Sequence, residues 1–156
     1  VKRFPSGQYG RQRLVFHPAP FRSPLRAFAA LVFAWAEDQV LICDILDRGW
    51  CIPSGRVEPD ESSAHAAIRE ALEEGGATLR DVDYIGCYQI CDRQETRWAD
   101  CYAARVVNLV EPTVPEESRG AKLVAMEELP ALYHLWNPLT EMVFNHSFEV
   151  LSRKPH

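Results

Sequence analysis

Long hydrophobic runs are missing from this chain. Its longest mostly apolar stretch, Ala27 to Ala36, falls far short of the roughly 20 residues that a membrane-spanning helix needs. That length suits a buried strand, and no membrane partner is expected. No apolar segment follows the basic residues of Val1 to Tyr9, so no secretory leader is visible and a cytoplasmic protein is expected. No internal repeat is apparent. Disulfide patterning is absent: the five cysteines, Cys43, Cys51, Cys87, Cys91 and Cys101, are odd in number and suit reduced, mostly buried thiols better than a disulfide framework. A thiolate zinc site is disfavoured as well, because Cys87 and Cys91 have no second pair at short spacing. His17, His65, His134, His146 and His156 form no ligand spacing. A broad basic stripe interleaved with aromatics is also lacking, so no long nucleic acid is expected as a partner.

What is present is an ordinary globular balance. The 156 residues, 47% apolar and 25% charged, are enough for one domain that buries a sheet core without disulfides or a structural metal. A single domain over 1–156 is expected, with 1–24 as a mainly irregular, Pro- and Gly-rich arm holding at most one short strand at Arg13 to His17. The net charge of -5 is concentrated in one place. Between Arg56 and Glu74 six carboxylates stand against two arginines, a local -4. Bare, such a patch repels phosphates; with divalent cations bound, its field reverses and attracts them.

Ala27–Ala36 and Gln39–Leu46 are β-branched, aromatic or aliphatic and flank the polar pair Glu37-Asp38, which predicts a hairpin. Gly49, Pro53, Gly55 and Pro59 predict a loop over Asp47–Asp60. A helix is predicted from Asp60 or Glu61, with Ala64, Ala67, Ile68, Ala71 and Leu72 as its apolar stripe and Gly75-Gly76 as its end. Asp83–Ile90 and Trp98–Val110 predict long strands joined by Cys91–Arg97. A short strand at Lys122–Met126 and helices over Glu127–Leu135 and Pro138–Leu151 follow. Together these elements predict an α/β fold, an α/β/α sandwich around a mixed sheet, with strand order left open.

Glu70, Glu73 and Glu74 fall at i, i+3 and i+4 and so share one side of the predicted helix. Arg69 can neutralise only part of that charge, and hard cations between the carboxylate oxygens would relieve the rest. Alone, a Glu-rich helix is weak evidence of function, since solvated helix faces carry such residues routinely. The fuller spacing, Gly55-x5-Glu61-x7-Arg69-Glu70-Ala71-x-Glu73-Glu74-x-Gly76-Ala77, resembles the complete box of the Nudix hydrolases.

That resemblance implies a loop-helix-loop laid against a mixed sheet, in which Mg²⁺ or Mn²⁺ activates water for attack on a diphosphate. It implies Glu70, Glu73 and Glu74 as metal ligands, Arg69 as the residue that orients them, and Glu61 as a further catalytic-site residue that holds the loop or a more distant cation. A further metal contact from the backbone carbonyl of Ser54 is implied, where family members commonly have glycine; serine there predicts a conformational cost if φ is positive. Glu95, Glu116 and Glu117 are candidates for a general base or extra ligand, against the plainer reading of solvated loop carboxylates. Tyr88, Arg93, Arg97 and Trp98 are candidates for contact with a nucleoside and its phosphates, although cross-strand packing accounts equally well for the aromatics. The implied partner is a nucleotide or nucleotide conjugate, and a homodimer is left open. The implied reaction is phosphoanhydride hydrolysis in a nucleoside triphosphate or a nucleoside diphosphate joined to another moiety. Two other uses of the same box are nucleotide sensing with little turnover and pyrophosphate removal from RNA 5′ ends.

Overall fold

A hairpin begins the structure. The computed structural model describes residues 2–112 and 117–155, and its first strands, β1 (Gly7–Tyr9) and β2 (Gln12–Pro18), lie in the segment expected to be mainly irregular. The segment is ordered because β2 pairs antiparallel along β7 (Ala77–Cys91), which gives its backbone polar groups partners. The expected hairpin forms from β3 (Ala29–Ala36) and β4 (Gln39–Ile45), but the two strands pair only at Trp35–Val40 and Ala36–Gln39 and then separate. Two short strands enter the opening, β5 (Gly49–Cys51) against β4 and β6 (Ser54–Arg56) against β3. Part of the predicted loop is therefore sheet. Strand β8 (Thr96–Leu109) pairs antiparallel with β7 and parallel with β3, while β9 (Ser118–Ala125) pairs with β4. The main order is β1-β2-β7-β8-β3-β4-β5, with β6 on β3 and β9 on β4.

Alternation along β3 divides the core into two layers. Ala30, Val32 and Ala34 face helix α1 (Ser63–Gly75), together with Leu41, Tyr102 and Ala104. Ala29, Phe33 and Trp35 face the opposite side and pack with Val143 and Phe144 of helix α3 (Pro138–Ser152). Burying each large apolar side chain contributes about 1.5–3 kcal/mol; Phe33 and Phe144 also meet edge to face at 4.9 Å. Trp35 Nε1 donates to Ser147 Oγ at 2.9 Å, so the one polar atom of that indole is satisfied inside the layer. The α/β/α layering expected from the sequence is present. Between β9 and α3, the predicted nine-residue helix is only a 3-10 turn at Met126–Glu128 and a short α2 at Leu129–Leu132.

Helix α1 departs from its predicted start, and two members of its predicted stripe, Ile68 and Leu72, lie outside the buried face. Its cap is Ser62, whose Oγ accepts from His65 N at 3.1 Å, so Glu61 lies before the helix. Ile68 and Leu72 are each 42% exposed, and the buried face consists of Ala66, Ala67, Glu70, Ala71, Glu74 and Gly75. Bulky Ile68 and Leu72 would hold the helix away from the sheet, whereas alanine and glycine let it approach: a Cβ on Gly75 would sit 2.7 Å from Leu41 Cδ2. The first long strand begins at Ala77, six residues earlier than predicted, because Gly76 caps the helix at φ 65° and the chain enters β7 at once. No helix among the described residues is long and apolar enough to cross a membrane.

Two glycines separate backbone freedom from packing. Gly10 and Gly76 share a left-handed φ, but a Cβ at Gly10 meets nothing within 4 Å while one at Gly76 overlaps the Val110 carbonyl. Gly10→Ala is expected to cost about 1 kcal/mol from backbone conformation alone, and Gly76→Ala distinctly more. Urea unfolding of the two variants checks this, and equal losses would contradict it.

Candidate active site

The glycine at 55 determines how close the carboxylate helix comes to the sheet. An ideal Cβ there would overlap the Glu70 carboxylate, so the Glu70 side chain occupies the space that any other residue at 55 would fill. One turn later, Glu74 Oε1 accepts the Ser54 backbone N–H at 2.9 Å. The β6 strand is thus pinned to β3 by its backbone and to α1 by two buried glutamates. Ser54 does not have a positive φ, and the anticipated conformational cost of serine is absent because the residue is extended and strand-paired with Leu31.

Arg69 organises the acidic face. Its Nε and Nη2 donate to the two oxygens of Glu61 at 2.8 and 3.0 Å, and Nη1 donates to Glu70 Oε1 at 2.7 Å and Glu73 Oε2 at 3.2 Å. Nη2 also donates to the Arg56 carbonyl at 3.0 Å, which ties the helix to the end of β6. These hydrogen bonds hold the Glu61 carboxyl far below the usual range, at about 2. Glu61 also accepts the Glu58 N–H at 3.1 Å, so it fastens the loop before the helix and lies outside the carboxylate cluster.

Glu70 and Glu74 experience the opposite shift. Burial raises Glu70 despite its hydrogen bond to Arg69, and burial together with the neighbouring Glu70 raises Glu74 to about 7. The charge of Glu117 acts on both, which places this residue in the electrostatic neighbourhood of the cluster. Glu95 is on the β7–β8 turn, 3.5 Å from Arg97, and Glu116 lies outside the described residues.

The donor set suits a hard cation. Among the described residues, Glu70 Oε2, Glu73 Oε1 and Glu74 Oε2 take no protein hydrogen bond, and none of these oxygens is a fully buried unpaired atom. As the described side chains stand, no three His, Cys, Asp or Glu residues converge tightly enough to hold one ion. The remaining attraction is electrostatic: carboxylates sharing one arginine retain excess negative charge.

On the other face of β6 lies a cavity of about 410 Å³, a size that accommodates a nucleoside. Phe28, Leu31 and Tyr133 contribute apolar surface; Arg48, Arg56 and Arg97 contribute positive charge. Ser54 and Gly55 line it as well, so the cavity and the carboxylate helix meet across a single strand. Tyr88 and Arg97 line this cavity, and the Arg97 guanidinium sits 4.3 Å above the Phe28 ring. Trp98 instead packs with His17 and Phe21, and Arg93 is exposed on the β7–β8 turn. Sequence reasoning did not single out Arg48, Arg56, Phe28 or Tyr133. These residues come from four separate segments, and no spacing connects them.

A family model for the NUDIX domain matches residues 25–144, most of the chain. The chain belongs to the Nudix hydrolase family. Among solved structures, this Nudix chain is similar to the Bacillus subtilis pyrophosphohydrolase BsRppH, with a TM-score of 0.75, 23% identity and 94% of each chain covered. It is also similar to a NUDIX hydrolase from Nitrosomonas europaea, at TM-score 0.67 and 20% identity, covering 84% of this chain and 93% of that one. At those identities the likeness is one of fold. A curated Bacillus subtilis relative, provisionally named 8-oxo-dGTP diphosphatase YtkD, is 33% identical over 90 residues, which are 58% of this chain. The matched segment spans 56% of that relative's length.

The Glu61–Arg69 pair gives an acid-stability prediction. Glu61 is deprotonated more readily in the folded chain than the roughly 4.3 of an unfolded glutamate, so its contribution is complete above that value. It is lost as pH falls towards about 2. Glu61→Gln is expected to lower stability at neutral pH and to flatten this acid limb. Thermal unfolding between neutrality and strong acid would contradict the assignment if the two profiles ran parallel.

Proposed function

We propose that this chain hydrolyses a phosphoanhydride bond in a nucleotide, either a nucleoside triphosphate or a nucleoside diphosphate joined to another group, with a divalent cation such as Mg²⁺ or Mn²⁺. Its chief support is the burial of Glu70 and Glu74 against the backbone of Gly55 and Ser54, beside a nucleoside-sized cavity. Family membership and the names of the two Bacillus subtilis relatives point the same way.

In this reading Glu70, Glu73 and Glu74 hold the cation through their uncommitted oxygens, with Glu117 close enough to assist electrostatically. The Ser54 carbonyl remains a candidate contact. When bound, the cation supplies acidity to water and offsets charge on the phosphoryl oxygens. Arg69 keeps Glu70 and Glu73 in place, and Gly55 lets Glu70 reach the strand that borders the cavity. The aromatic and aliphatic wall formed by Phe28, Leu31, Tyr88 and Tyr133 excludes water from the bound nucleoside, while Arg56 and Arg97 offer positive charge. Glu70, or Glu117, whose charge reaches the cluster, accepts the proton released by the attacking water.

Three outcomes are expected. Product analysis over nucleoside triphosphates, 8-oxo-dGTP, nucleoside diphosphate conjugates and short 5′-triphosphorylated RNA with Mg²⁺ or Mn²⁺ should reveal turnover of at least one nucleotide; all staying intact would defeat the reading. Glu73→Gln and Glu74→Gln should each lower kcat/KM by about 10²-fold with the circular dichroism spectrum unchanged, and wild-type turnover at limiting Mg²⁺ would remove their ligand role. The Glu74 carboxyl titrates at about 7 through burial, and protons compete with the cation for it. The half-saturating Mg²⁺ concentration should therefore rise as pH falls below about 7; a flat dependence would separate Glu74 from cation binding.

A further inference from the structure

The residue that departs from the box, Ser54, has a hydroxyl with a specific partner. Arg48 Nη1 donates to Ser54 Oγ at 3.3 Å and points at Cys51 Sγ, 3.8 Å away. Arg48 stands on the turn after β4, where its N–H donates to the Ile45 carbonyl at 3.0 Å, and its side chain crosses back to the start of β6. There it joins Ser54 and Gly55 in the cavity wall. Among the described residues no carboxylate lies within ion-pairing distance, and neither Nε nor Nη2 has a protein partner. The guanidinium is thus a cation on neutral supports, with Nε and Nη2 to spare, where the cavity adjoins the strand that touches Glu70 and Glu74.

A guanidinium in this setting suits a phosphate. Its planar fork gives two parallel hydrogen bonds to phosphoryl oxygens, and a neutral hydroxyl can fix the fork without neutralising it. A carboxylate at 54 would cancel the charge, and glycine would leave only the weak thiol contact. The other guanidiniums of the cavity differ: Arg97 lies over Phe28 and beside Glu95, and Arg56 extends from the far end of β6.

We propose that Arg48 contacts the phosphate chain of the substrate and that Ser54 is the positioning residue that aims it. This rests on the nucleotide-hydrolase reading and adds to it a function for the serine that replaces the usual glycine. Serine at 54 is then a means of recruiting a phosphate ligand from a neighbouring turn.

The test compares Ser54→Ala, Ser54→Thr, Arg48→Gln and the double variant Ser54→Ala/Arg48→Gln in steady-state hydrolysis of a nucleoside triphosphate. Binding of a non-hydrolysable triphosphate analogue is measured in parallel by calorimetry. Ser54→Ala should raise KM and the analogue Kd severalfold with kcat changed less, Ser54→Thr should restore both, and Arg48→Gln should raise them about tenfold or more, as loss of a charge-assisted bond predicts. The double variant should be no worse than Arg48→Gln, because Ser54 acts through Arg48. Unchanged binding in Ser54→Ala, additive losses in the double variant, or a shift in Mg²⁺ requirement alone would each overturn the proposal. If wild type binds the analogue but turns over no nucleotide, the hydrolase reading fails while the Arg48–Ser54 comparison remains decisive through Kd. A wild type that binds no analogue overturns both.

Discussion

The contact between the Glu70 carboxylate and the bare backbone of Gly55 is the constraint on which the rest of this site depends. It requires α1 to lie close to the sheet, and the helix does so by presenting Ala66, Ala67, Ala71 and Gly75 where most helices present leucine or isoleucine. Closeness then removes water from Glu70 and Glu74, and the removal of water raises both carboxyl groups. The small core residues and the weakened acidity of these two carboxyl groups are two results of a single packing distance.

Arg69 makes that arrangement tolerable. One guanidinium satisfies Glu61, Glu70 and Glu73 and reaches the Arg56 carbonyl, linking the loop before the helix, the helix itself and β6. Its charge is shared among several carboxylates, so the cluster stays ordered while remaining net negative. A second arginine supplied from α1 would neutralise the surplus negative charge; a leucine at 69 would leave Glu61 and Glu70 without their shared donor. The balance between order and charge resides in this residue.

Much of this was legible in the chain. Box spacing located the acidic helix, Gly75-Gly76 marked its end, and alternating apolar residues outlined β3, β4 and the long β7–β8 pair, because these signals are local. Ala67 and Ala71 of the expected stripe are buried, while Ile68 and Leu72 are not, because periodicity cannot tell a bulky residue at the stripe's margin from the small ones that a nearby sheet selects. A start at Asp60 or Glu61 is what acidic residues near a helix N-terminus suggest, and the true cap, Ser62, follows immediately. Strands β5 and β6 were hidden in a Pro- and Gly-rich stretch, since their pairing partners lie on the diverging arms of a hairpin. The cavity wall draws on residues from Phe28 to Tyr133, a long-range assembly with no one-dimensional signature.

The alternation of β3 has an evolutionary consequence. One side of the strand is committed to small residues that seat the acidic helix, while the other supplies Ala29, Leu31 and Phe33 to the cavity. Drift on the cavity side can reshape what is accommodated while leaving the helix seat untouched, and drift on the helix side is penalised at once. The two faces of one strand thus separate the shape of the cavity from the seat of the acidic helix.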